Sequence, residues 1–118
     1  MTKYTPPRKT SLLKPDKVDI LGTMYSIEYV DKPSDVDIFK RKSFWGQIDY
    51  WTRTIRIYDK EWPGEEVFQV LLHESLHGIK EALKLKCFDG DNGHEELGIL
   101  AMALSDFLFR NGFVKKEE

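Results

Sequence analysis

The chain has 118 residues, 41% of them hydrophobic and 32% charged, with a formal net charge of −2. That is enough apolar material for one globular domain with its own core, and the charge offers no bulk attraction to nucleic acid. A single cysteine, Cys87, excludes an internal disulfide, and no apolar run is long enough to span a membrane. The first residues lack the apolar core of a signal peptide, so the expected location is the cytoplasm.

Residues 1–14, with Pro6 and Pro7 among polar neighbours, read as a flexible N-terminal arm, and residues 15–118 as a single domain. Two strands are expected over 18–21 and 24–30, with Gly22-Thr23 as the turn between them. In the second, Tyr25, Ile27 and Tyr29 alternate with Met24, Ser26 and Glu28, so the first set faces the core. A short helix is expected over 36–40. Lys40-Arg41-Lys42 beside Phe44 and Trp45 is the strongest basic and aromatic stretch. It reads as a solvated loop, and nucleic acid is not expected as a partner. Residues 45–50 and 54–58 read as a hairpin that pairs Ile48 and Tyr50 with Ile55 and Ile57.

Pro63-Gly64-Glu65-Glu66 opens a helix expected to run to about residue 85, proline and acidic residues both suiting a first turn. Asp89-Gly90-Asp91-Asn92-Gly93 hints at a calcium loop. The hint fails, because Gly93 stands where an oxygen ligand is needed and His94 where a glycine is needed. A last helix is expected over 94–110, ended by Asn111-Gly112. Strands grouped before helices imply an α+β fold, a small antiparallel sheet with helices on one side.

Within the first long helix stands His73-Glu74-Ser75-Leu76-His77, holding two of the chain's three histidines. Residues four apart share a helix face, so both imidazoles can reach one metal ion. Glu74 points about 100° round the helix and can take a proton from a water activated there. A catalytic zinc takes three protein ligands and keeps one position open. Candidates for the third ligand are His94, Glu95, Glu96, Asp89, Asp91 and Cys87. Glu96 is favoured, because it shares a face with Leu100, Ala103 and Phe107, the stripe expected to pack on the motif helix. His94 is an alternative ligand, or a donor to a developing oxyanion.

These residues resemble the zincin-like metallopeptidases, and within them the small ImmA/IrrE-type and related phage-encoded proteins. The likeness rests on Gly46-Gln47-Ile48-Asp49, Ile55-Arg56-Ile57, Gln69-Val70-Leu71-Leu72-His73-Glu74-Ser75-Leu76-His77 and Glu96-Leu97-Gly98-Ile99-Leu100-Ala101. It implies a minimal zincin fold with Zn2+ held by His73, His77 and Glu96, and hydrolysis of peptide bonds in a regulatory or repressor protein. Leu100 follows Glu96 by four residues, so the Glu-x-x-x-Asp pair of thermolysin-like enzymes is lacking. The competing expectation is a non-catalytic, zinc-stabilised module that binds a protein partner.

Overall fold

The computed structural model describes residues 14–37, 45–59 and 64–114. The expected arm, except residue 14, lies outside these residues. So do the expected 36–40 helix beyond residue 37, the basic run at 40–42, and Pro63.

Strands β1 (Lys17–Ile20) and β2 (Thr23–Val30) form a hairpin that pairs Ile20 with Thr23 across a two-residue loop. Both loop residues have positive φ, Leu21 at 51° and Gly22 at 92°. A two-residue loop of this kind matches the twist of the flanking strands, and glycine adopts its second position without strain. Asp19 Oδ1 accepts the Gly22 N–H at 2.7 Å. The turn is therefore Leu21-Gly22, one residue earlier than its expected place, because glycine is needed at the second turn position and not the first. Tyr25 and Ile27 are buried while Met24, Ser26 and Glu28 are exposed, as the alternation implies. A single 3-10 turn, Pro33–Asp35, follows β2.

β3 (Gly46–Asp49) and β4 (Thr54–Tyr58) form the second hairpin. Asp49 Oδ1 accepts the N–H groups of Trp51 at 2.9 Å and Thr52 at 3.3 Å, and Arg53 takes φ 55° to turn the chain into β4. The sheet order is β1-β2-β4-β3. β4 pairs antiparallel with β3 but parallel with β2, so the sheet is mixed and not the expected antiparallel one. The reason is geometric. The chain leaves β2 and returns as β3 two strand spacings away, and β4 then fills the gap running the same way as β2. No crossover helix is needed.

One face of this sheet is apolar. Ile27, Ile55 and Ile48 lie in a row across three strands, and Ile55 and Ile57 are fully buried. The other face carries Glu28, Arg56 and Gln47 in register, with Arg56 Nε 3.1 Å from Glu28 Oε2.

Helix α1 (Gly64–Leu83) lies on the apolar face. Val67, Leu71, Glu74 and Gly78 are buried at steps of four, three and four. A Cβ at Gly78 would stand 2.8 Å from Ile20 Cδ1 and 3.0 Å from Ile48 Cδ1, so this glycine lets the helix settle onto the sheet. α1 ends two residues before the expected limit, at Lys84 with φ 54°, where Leu85 N–H reaches back to the Lys80 carbonyl at 3.0 Å. That is a left-handed helix cap made without glycine.

Helix α2 (Gly93–Arg110) packs on α1 and buries Gly93, Leu97, Ala101 and Ser105. The expected contact stripe was Leu100, Ala103 and Phe107. Leu100, Ala103 and Phe107 are instead exposed. The line turned to α1 is Gly93, Leu97, Ala101 and Ser105, whose small members let the helices approach, and Leu100, Ala103 and Phe107 lie on the far side of the helix. The helix ends as expected at Asn111-Gly112, with Gly112 at φ 74° and Phe113 N–H bonded to the Leu108 carbonyl at 3.0 Å. Among the described residues, no helix is long and apolar enough to cross a membrane.

Candidate metal centre

His73 and His77 lie on the side of α1 next to its sheet-facing stripe, turned towards α2. Both are half-buried. Their Nε2 atoms are 3.1 Å apart and their ring centroids 4.9 Å apart. Two nitrogens each about 2.0–2.1 Å from a tetrahedral zinc stand roughly 3.3 Å apart. The observed pair therefore suits one shared ion with little adjustment.

The third group of the cluster is His94. Its ring centroid is 4.8 Å from that of His73 and 5.4 Å from that of His77. One ligand atom from each of the three histidines falls within 4.8 Å of the others, and this is the cluster of metal-type side chains found among the described residues. His94 is set by its neighbour. A Cβ at Gly93 would stand 1.7 Å from the Phe88 carbonyl oxygen, so only glycine lets the 88–92 loop close onto the start of α2. One turn further on, His73 packs over Gly98, whose added Cβ would stand 3.5 Å from His73 Cε1.

Burial pushes the His73 pKa down to about 4, assisted by the neighbouring His77 and His94. His77 is lowered by burial first, then by His94 and Lys80. Both rings are thus neutral at pH 7, the form that ligates a cation.

Glu74 points to the sheet side. It is 8% exposed, and burial raises its pKa to about 7 against the lowering effect of the Ile48 backbone amide, which donates to it. A Cβ at Gly46 would come within 3.1 Å of Glu74 Cγ and 2.6 Å of Val70 Cγ1, so a glycine on β3 makes room for this carboxylate. The Tyr58 N–H donates to the Trp45 carbonyl at 2.9 Å, which makes 45, 47 and 49 the residues that bond β4. Residues 46 and 48 then direct their backbone groups to the open edge of the sheet.

Two depressions follow that edge. One of about 420 Å3 is bordered by Trp45, Gly46, Gln69, His73, Glu74 and His94. The other, of about 260 Å3, is bordered by Ile48, Tyr50, Glu74, His77 and His94. Glu74 and His94 border both, so the histidine cluster lies midway along a groove beside β3. At its far end Tyr50 O–H donates to the His77 carbonyl at 3.2 Å, and burial raises that phenol to about 12, so it keeps its proton.

The expected histidine pair and Glu74 are brought together. Glu96, the favoured third ligand, is not: it is exposed, as is Glu95, and both lie outside the cluster. Asp89, Asp91 and Cys87 are exposed on the loop, with Asp89 bound to Lys80. The face assignment that favoured Glu96 fails with the contact stripe on which it rested. A signal for His94 was present: it lies on one line with Gly98, Ala101 and Ser105, at steps of four, three and four. Tyr50 and the Ile48 amide enter the site only through the register of the sheet.

No protein-family model, curated protein or solved structure matches this chain. The reading of the site therefore rests on its own geometry. Three imidazoles, with a buried carboxylate beside them and an open groove, fit a metal held by three protein ligands with a position left for water or substrate.

Proposed function

We propose that the protein is a zinc-dependent peptidase of zincin-like type, with the ion held by His73, His77 and His94 and with Glu74 as general base. The observation that supports this most is the convergence of His94, from a second helix, on the His73–His77 pair beside the buried carboxylate of Glu74. A zinc ion held there would supply a Lewis acid for a substrate carbonyl and lower the pKa of a water it binds to about 7. Glu74 takes the proton of the attacking water and hands it to the leaving amine. The burial of Glu74 beside the histidines puts its carboxylate within reach of such a water and away from bulk solvent. The outward backbone groups of Gly46 and the Ile48 carbonyl suit an extended peptide laid along β3, while the Ile48 N–H holds Glu74. A purely structural zinc site closes with a fourth protein ligand, and among the described residues the cluster offers three.

The test is Glu74→Gln. The variant should retain metal and fold, but lose cleavage of a random-sequence quenched-fluorescent peptide library that the zinc-loaded wild type cuts. Equal cleavage by both proteins rules out the base. A wild type that binds zinc and gains stability without cleaving points to the partner-binding module instead.

A further inference from the structure

α2 has two faces of different character. One packs on α1 through Leu97, Ala101 and Ser105. The other points away from the domain and exposes large apolar side chains among charged ones. Ile99 is 55% exposed, Met102 52% and Phe107 53%. Phe113 packs against Phe107 with ring centroids 5.9 Å apart, which widens the patch at the C-terminal end. An apolar stripe of this extent on a surface helix marks an interaction site.

The order of residues along the stripe identifies the occupant. Glu96, Ile99, Ala103, Asp106 and Arg110 follow one another at steps of three and four, the spacing of a two-helix seam. Ala103 is the midpoint. Ile99 lies four residues before it and Phe107 four after. Glu96 lies seven before it and Arg110 seven after. A second α2 laid antiparallel across Ala103 would place Glu96 of each helix against Arg110 of the other, and Ile99 against Phe107. The smallest side chain would stand where the two helices approach most closely. A parallel arrangement would instead place Glu96 beside Glu96. Arg110 already holds Asp106 within its own helix, Nε to Oδ2 at 2.8 Å, so its guanidinium is presented at the end of the stripe.

We propose that two copies of this chain associate through α2, with the helices antiparallel about a two-fold axis at Ala103. The face involved is opposite to the one that carries His94, so the metal cluster stays open in the pair.

Sedimentation equilibrium over a range of protein concentrations tests the proposal. The wild type should form dimers. Glu96→Arg and Arg110→Glu should each raise the dimer dissociation constant by about tenfold or more, since each change acts twice across a two-fold axis. The double variant, which exchanges the charges, should associate again. Circular dichroism confirms that each variant keeps its helices. Independently, Ala103→Cys in a Cys87→Ser background should cross-link to itself on oxidation, because that position lies on the axis, whereas Asp91→Cys in the same background should not. A wild type that stays monomeric at every concentration overturns the proposal; residues 1–13 or a different protein would then be the occupant. So does a dimer indifferent to the charge reversals, or a double variant that fails to associate.

Discussion

Glu74 and His94 are the two residues whose surroundings decide what the site can do. In the proposed site His94 stands in place of Glu96 as third ligand, and a zinc titration separates them. His94→Ala should weaken binding by at least about two powers of ten, as loss of one of three ligands implies, whereas Glu96→Ala should leave it nearly unchanged. The opposite ranking would return Glu96 to the site. Glu74 carries a pH signature in the metal-free protein. Its folded pKa, about 7, exceeds its ordinary value of 4.5. Its contribution to stability is therefore present below pH 4.5 and is lost as the pH rises through 7. Compared with Glu74→Gln, the wild type should lose on the order of 3 kcal/mol over that interval. Parallel melting of the two proteins from pH 4.5 to 8 reads the difference directly, and a constant gap would mean that the carboxylate is better solvated than its burial indicates. Of these residues, the histidine pair and the adjacent Glu74 were legible in the sequence because helical spacing alone sets them. His94 was expected only as an alternative to Glu96, since its place depends on which face of α2 is buried.

The elements themselves were largely legible. Tyr25, Ile27 and Tyr29 showed β2 by alternation, and Asn111-Gly112 showed the end of α2. What failed was the docking of α2. Hydrophobicity favours Leu100 and Phe107 as contacts, but the α1–α2 contact is built on Gly93, Ala101 and Ser105, which let the helices approach. The large residues left outside then serve the proposed second copy. Because the cluster takes two histidines from α1 and one from α2, an ion bound there would tie the two helices across the 84–92 loop. Zinc at about a hundred times its dissociation constant should add about 2.7 kcal/mol, or roughly 10 °C in melting temperature for a domain of this size. Scans with zinc and with a chelator measure it. Identical curves would show that the three histidines do not form a cross-link.

At the scale of the molecule, the sequence conveyed the class of fold but not the mixed sheet. Alternation shows which residues of a strand face inward and is silent about which strand lies beside it. β2 and β4 each read correctly as strands, yet nothing in Ser26 or Thr54 announces that they pair in parallel. That arrangement has a kinetic consequence. The β1–β2 and β3–β4 hairpins close through short loops, whereas the β2–β4 seam joins residues far apart in the chain, such as Val30 and Tyr58. Chain entropy must be given up before such a seam returns any contact energy, so its closure should limit the rate of folding. Ile27→Val, a change within the seam costing about 0.5–1.5 kcal/mol, should slow folding. Leu97→Ala in α2, which docks on a neighbouring helix once the sheet exists, should instead speed unfolding. Stopped-flow refolding of the two variants distinguishes them, and an Ile27→Val protein that folds at the wild-type rate would place the seam after the barrier.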